Sequence, residues 1–385
     1  MRKILIITDW GPPMLDGPSI ILGNILREFR PGEMVLFRRK ITKHLEVYNK
    51  RGNKVNAKTY SIFIPSPFSS KYGGFIRRLY SLVELIAMPL TLIKGLWINF
   101  IERPSCILAT SDPPHCHFMI AAYLTAKLLR KRFYLYLFDP LEGFTSNRLQ
   151  KLLFLYLGPL MFKYASKVIV MDEFLAEFYE KKYGLQCEVL YHSANIEKTN
   201  LFIEEKTVKN DIYTIVFSGN ISRFQFDSLL NLKYAVQLIP DKIRLKLFTP
   251  TNEDNLKELG LYGDLITVRH IDHALLEEEL KKADILFMPL SFTYSDSIVV
   301  KAAFPSKTMD YLCAGKPIIV HAPRDSFIVK YTKHNKCAEV VTDNNIRVLA
   351  SSIESLLNNE ERQKELIENS RKTLLNHDSK KKYAE

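Results

Sequence analysis

The stretch from Phe304 to Val320 reads Phe-Pro-Ser-Lys-Thr-Met-Asp-Tyr-Leu-Cys-Ala-Gly-Lys-Pro-Ile-Ile-Val. A turn enters a short helix, Gly315 closes it, and Pro317 leads into an apolar strand. Ser306 and Lys307 stand at the helix start, where free backbone N–H groups and a fixed cation can hold a phosphate-type anion without a metal. Asp310 follows on the same face, about 4.5 Å along the axis, and suits a hydroxyl beside that anion. The plainer reading is an exposed Lys307/Asp310 helix pair. Gly17 and Ser19 open another predicted helix and offer either anion-binding N–H groups or a Gly/Pro turn with a serine cap. Asp139 follows the apolar run Phe133 to Phe138. There a carboxylate either holds or deprotonates a hydroxyl within reach, or fixes a loop. His192 and His270 also close strands, and a satisfied interdomain histidine is the alternative for His192. Neither an Asp-x-Asp motif nor metal-ligand spacing of His and Cys is present, so no metal site is expected.

These residues fall at the ends of elements that alternate along the chain. Strands are predicted at Ile4 to Thr8, Cys106 to Ala109, Phe133 to Phe138, Val168 to Met171 and Val189 to Tyr191. The helix-period segments include Ile21 to Phe29, Phe118 to Leu129 and Glu173 to Tyr183. A polar stretch at 196–211 reads as a linker. The pattern restarts with Ile212 to Ser218, a helix from Asp227 to Leu238, and strands at Leu245 to Phe248, Ile266 to Val268, Ile285 to Pro289, Pro317 to Val320 and Glu339 to Val341. Such alternation means α/β architecture with two doubly wound, Rossmann-like parallel-sheet domains, whose ligands sit beyond the strands' carboxyl ends. The boundaries are 1–200 and 201–370, with 371–385 a helix or tail returning to the first domain. The loop after the first strand, Asp9 to Ser19, lacks G-x-G-x-x-G, which argues against a standard dinucleotide fold.

At 385 residues with 47% hydrophobic and 25% charged content, the chain is globular and large enough for two cores. Five scattered cysteines argue against a disulfide framework and for a reducing, cytoplasmic setting. The N-terminal apolar run is too short for a signal peptide, and Leu79 to Phe100 is interrupted by Glu84, Pro89 and Lys94, so no spanning helix is expected. Residues 1–200 hold 28 Lys and Arg against 16 Asp and Glu, which accounts for the whole net charge of +12. A basic first half suits an anionic surface or substrate, or simple solubility. No nucleic-acid-binding motif accompanies the charge, so no nucleic acid partner is expected. The apolar segment from Gly73, with Arg77, Arg78, Lys94 and Trp97 toward its edges, reads either as an interfacial helix beside anionic lipid or as a core helix kinked at Pro89.

The segment at 304–320 resembles the donor-site segment of the family-4 glycosyltransferases, in the branch written PSK…(E/D)YLaaGkPii. Five further pieces match that family in order. They are the Asp9 to Ser19 loop, Leu108-Ala-Thr-Ser-Asp-Pro-Pro, Phe138-Asp139-Pro140, Phe217-Ser-Gly-Asn220, and Lys282-Ala-Asp284-Ile through Pro289. The resemblance covers essentially the whole chain. It implies a GT-B fold, with two Rossmann-like domains facing a cleft. The implied reaction is retaining, metal-independent sugar transfer from a UDP- or GDP-linked donor, which is a substrate rather than a cofactor.

The resemblance places Gly17, Ser19, Gly219, Asn220, Arg223, His270, Ser306, Lys307 and Asp310 at the donor. Arg223 clamps the phosphates, His270 lies near the nucleobase and Asp310 meets the ribose. Ser111, His115, Asp139 and His192 fall to the acceptor side, with Asp139, Arg223 and Lys307 as the catalytic set. Three positions depart from the pattern: Ala302 replaces the first glutamate of E-x7-E, Ser111 a frequent histidine, and Ser228 the second lysine of R-x4-K. The acceptor expected is a glycan, lipid-linked, in cell-surface polysaccharide assembly at the cytoplasmic membrane face. The alternatives are a nucleotide-sugar epimerase and a non-catalytic nucleotide-sugar or polyanion binder.

Overall fold

The computed structural model describes residues 3–14, 17–40, 55–64, 74–111, 116–141, 148–192, 212–239, 243–271 and 273–377. It divides into two units, Met1–Tyr191 and His192–Glu385. The polar stretch at 196–211 lies outside the described residues.

Among the described residues, the first unit is built on seven parallel strands: β1 Ile4–Ile7, β2 Met34–Arg39, β3 Lys58–Ile62, β4 Cys106–Thr110, β5 Arg132–Leu137, β6 Lys167–Val170 and β7 Cys187–Val189. Their order is β3-β2-β1-β4-β5-β6-β7. The order reverses beside β1, where Ile7 pairs with Phe37 on one side and Ala109 on the other. Asp9, just past β1, takes a bidentate pair of bonds from Arg39 at 2.6 and 3.0 Å, and both side chains are buried. Each ion needs the other there, because a lone charge at that depth has no water to solvate it. Arg39 also lies over the Trp10 ring, 5.1 Å from its centroid, which ties the β1 loop to β2.

Helices α1 (Gly17–Leu26), α2 (Gly74–Glu102), α3 (His117–Leu128), α4 (Arg148–Tyr164) and α5 (Glu173–Tyr183) connect these strands. α2 contains Pro89 and packs on α3. The approach depends on Gly95, where a Cβ would stand 2.9 Å from Thr125 Oγ1. α4 packs on the other flank of α3, which is buried along most of its length. No helix among the described residues is long and apolar enough to cross a membrane.

Among its described residues, the second unit repeats the architecture with six parallel strands: β8 Tyr213–Ser218, β9 Ile243–Phe248, β10 Ile266–Arg269, β11 Ile285–Pro289, β12 Ile318–His321 and β13 Glu339–Val341. The order is β10-β9-β8-β11-β12-β13, so the reversal falls between β8 and β11. Its helices are α6 (Phe226–Gln237), α7 (Glu253–Glu258), α8 (His273–Lys281), α9 (Ile298–Lys301), α10 (Lys307–Ala314), α11 (Phe327–Asn335), α12 (Ile346–Leu357) and α13 (Glu360–Leu375). Two apolar cores form, one around Leu229, Leu232 and Ile353 and the other around Met309, Leu312 and Ile328. α13 supplies Leu366 to the first and Leu374 to the second. Residues 378–385 of the predicted tail lie outside the described residues. Beyond the helix, His377 is buried against the Tyr331 hydroxyl at 2.5 Å.

Candidate functional site

One hydroxyl ties helix α10 to the sheet. Tyr311 Oη accepts from the Ser218 N–H at 2.9 Å and donates to the Phe287 carbonyl at 3.3 Å, which ties the helix to β8 and β11 on either side of the strand-order reversal. Gly315 ends the helix at φ +64, the left-handed cap the sequence pattern predicts. At the other end the Ser306 hydroxyl makes no capping bond, so it does not compete for the first N–H groups of the helix.

Lys307 folds under the glycine after β8. Its ammonium lies 3.9 Å from the centroid of the Phe217 ring, and a Cβ at Gly219 would stand 3.0 Å from its Nζ. Gly219 has φ +118, and its N–H donates to the Phe248 carbonyl at 2.8 Å. Burial pushes Lys307 down to about 7, with Asp310 acting in the opposite direction. Burial likewise pushes Asp310 up to about 7, reinforced by Glu277 on α8 and opposed by Lys307. A cation and a carboxylate at the start of one helix are thus held near the point of losing their charges, a condition an incoming polyanion and hydroxyl would change. Replacing Gly219 with Ala should cost about 1–3 kcal/mol through the strained φ and displace the lysine. Thermal denaturation read together with nucleotide titration checks both effects, and an unchanged Tm with unchanged affinity contradicts the geometry.

His192 is the first residue of the second unit. It is buried in the second unit with a hydrogen bond to the Ser306 backbone. Burial pushes its imidazole down to about 4 against that bond, so the ring is neutral at the start of α10. Asn220 is exposed, its side-chain oxygen 3.4 Å from the Thr251 hydroxyl. Arg223 is exposed too. Its guanidinium lies over the rings of Phe224 and Tyr294, at 4.8 and 5.5 Å from their centroids. Asp227 holds the Tyr294 loop in place, its Oδ2 accepting from the N–H groups of Phe292 and Thr293 and from the Thr293 hydroxyl at 2.8–2.9 Å. His270 follows the edge strand β10, two strands out from β8.

The departures from the family pattern also have places. Ala302 is buried where α9 ends. Ser228 faces the interior, 2.7 Å from His321 Nδ1 and bonded to the His321 carbonyl at 3.0 Å, so its side chain serves the core.

In the first unit, Asp139 follows β5 and is mostly covered, and burial pushes its carboxyl up to about 6. Asp172 caps α5 by accepting from the Leu175 N–H at 2.8 Å. Burial pushes it up to about 8, and the nearby Asp139 charge adds to the shift. Ser111, past β4, accepts from the Phe138 N–H at 2.9 Å, which brings it to the segment carrying Asp139. Gly17 begins α1, while Ser19 is fully buried within it. His115 lies outside the described residues.

Residues 250–373 match the family model described as "Glycosyl transferases group 1", a span that contains Ser306, Lys307 and Asp310. No curated protein matches the chain. Among solved structures, HepE of Anabaena in complex with UDP and glucose is 14% identical, with a TM-score of 0.67 over 99% of this chain and 97% of that one. Sucrose-phosphate synthase from Thermosynechococcus elongatus is 14% identical, with a TM-score of 0.68 over 100% and 96%. A glycosyltransferase from Rickettsia africae is 14% identical, with a TM-score of 0.64 over 98% and 94%. Residues 250–373 of the second unit are thus similar to the glycosyl transferases group 1 family, in a chain whose two Rossmann-like domains have the fold of GT-B glycosyltransferases.

Proposed function

We propose that this chain transfers a sugar from a nucleotide-sugar to a hydroxyl of a glycan acceptor bound by its first unit, with retention at the anomeric carbon and without a metal. The observation that carries the reading is Lys307, half-buried beneath Gly219 at the start of α10, with Asp310 on the same helix. A donor diphosphate would restore the full charge of Lys307, take hydrogen bonds from the first N–H groups of α10, and draw Arg223 from its aromatic seat. The bond from the anomeric carbon to the diphosphate oxygen then breaks, and these donors stabilise the charge that grows there. The acceptor oxygen forms the new bond on the face from which the diphosphate leaves, which keeps the anomeric configuration. Its proton passes to Asp139, whose raised pKa suits a base working near neutrality.

Asp310 accepts from the ribose hydroxyls, and His270 and Asn220 stand on the nucleoside side. Gly17 is assigned to the donor's far phosphate, with Ser19 buried behind it, and Ser111 and His115 to the acceptor. The HepE structures hold UDP, which favours a uridine nucleotide here over a GDP-linked one. A lipid-linked acceptor, worked on at the cytoplasmic face of a membrane during cell-surface polysaccharide assembly, fits the basic first half.

Incubating the protein with a panel of UDP- and GDP-sugars tests the reaction class. Slow release of free nucleotide is the expected result. Interconversion of sugars would replace the reading with an epimerase, and binding without turnover with a non-catalytic binder.

A further inference from the structure

The outer faces of α2 and α4 are apolar and uncovered. On α2, Ile86, Leu90, Ile93, Trp97, Phe100 and Ile101 recur at helical spacing and are 45–78% exposed. The opposite face of the same helix is committed to the fold, with Ala87, Thr91 and Ile98 buried and Gly95 against Thr125. α4 repeats the arrangement: Leu152, Leu155, Tyr156 and Leu160 are 49–75% exposed, while Phe154, Met161 and Phe162 are buried. Both helices flank α3, whose exposed C-terminal end carries Leu128 and Leu129.

Among the described side chains, the exposed charges on these three helices are basic. The sequences of α3 and α4 contain no Asp or Glu, and of the two glutamates in α2, Glu102 is buried among Lys3, Lys58 and Tyr60. Arg103, Lys127, Arg130 and Lys163 are exposed beside the apolar stripes. A helix with one face built into a domain and the other apolar cannot span a bilayer, but it can lie along one.

From this we infer that α2 and α4 together form a two-helix docking face for an anionic lipid surface, with the apolar stripes in the acyl boundary and the flanking cations at the head groups. The inference deepens the membrane part of the proposed function, and it depends on that reading only for the nature of the acceptor. Binding would be reversible, because shallow side-chain insertion and a few cations give far less hold than a spanning helix.

Sedimentation of the full chain with phosphatidylglycerol/phosphatidylcholine vesicles tests it, with UDP titration run in parallel. The protein should sediment with anionic vesicles, fail to do so with phosphatidylcholine alone, and be released as salt shortens the Debye length to about 3 Å near 1 M. Leu90→Glu/Ile93→Glu and, separately, Leu155→Glu/Tyr156→Glu should each weaken vesicle affinity roughly tenfold or more, because a charge replaces an inserted side chain. Both should keep UDP affinity. Trp97 emission should shift to the blue on vesicle addition, and the shift should vanish in Trp97→Phe while sedimentation persists. No binding to anionic vesicles at low salt overturns the inference. So does a stable dimer in vesicle-free solution that the same substitutions dissolve, which would make the face a self-association surface. Intact vesicle binding without any nucleotide binding would instead sink the donor-site reading and leave the docking face standing.

Discussion

Asp139→Asn is expected to lower turnover about 10²- to 10⁴-fold, the range for losing a positioned proton acceptor, while nucleotide affinity stays within a factor of two or so. The separation follows from the fold, since Asp139 closes β5 of the first unit and Lys307 opens α10 of the second. Burial raises Asp139 to about 6, so kcat/KM of the wild type should climb as pH rises toward and past that value, and the asparagine variant should lose this limb. Stability should respond in the opposite sense. An acid whose folded pKa lies above its unfolded value stabilises the fold as pH drops through that window and destabilises it above, so the variant should melt no lower than wild type at pH 7–8. Steady-state kinetics, UDP titration and a thermal melt distinguish the outcomes. A fall in turnover, nucleotide affinity and Tm together would make Asp139 a loop-fixing residue.

Lys307→Ala should reduce kcat/KM for the nucleotide-sugar by about 5- to 150-fold, equivalent to about 1–3 kcal/mol for a charge-assisted contact to phosphate. Its pH signature is the sharper test. The half-buried lysine sits near 7 in the free protein and is opposed to Asp310 on the same helix face. A diphosphate that requires the ammonium must therefore recharge it above that pH. Nucleotide binding should take up a proton and weaken by up to about tenfold per pH unit above neutrality. Calorimetry in buffers of different ionisation enthalpy measures that uptake directly. Uptake that is absent in wild type, or unchanged in Lys307→Ala, would remove Lys307 from the donor site. Arg223→Ala should lower affinity while the proton uptake, which belongs to Lys307, persists.

The alternation of apolar runs with helix-period segments made both parallel sheets legible, and the Phe304 to Val320 segment gave the helix at Lys307–Ala314 with its glycine cap nearly to the residue. The strands missed in the first half show what pattern reading lacks. Met34–Arg39 ends in two arginines and looks like surface, yet Arg39 is buried because Asp9 neutralises it across the sheet. Lys58–Ile62 alternates too weakly to signal an edge strand, since none of its residues is fully buried. At the site, Ser306, Lys307 and Asp310 are near in sequence and could be grouped without a structure. The contact of His192 with Ser306, the charge of Glu277 on Asp310 and the Phe224/Tyr294 seat of Arg223 join distant segments, and only folding brings them together. Glu277 alone reads as half of a solvated helix pair with Lys281, a bond it does make at 2.8 Å.

The ordering of the two sheets bears on how this protein would associate by accident. An all-parallel sheet leaves unpaired backbone at both margins, and long flat margins invite another chain to add on as a strand. Here the margins are short: β7 and β13 have three residues each, β10 has four, and the five-residue β3 begins with an exposed lysine. Strand addition is poorly templated at all four. Precipitation during purification should therefore yield to detergents or anionic amphiphiles that cover apolar side chains, rather than to peptides or conditions that block β-pairing. Deposits should stain weakly with dyes that report cross-β structure.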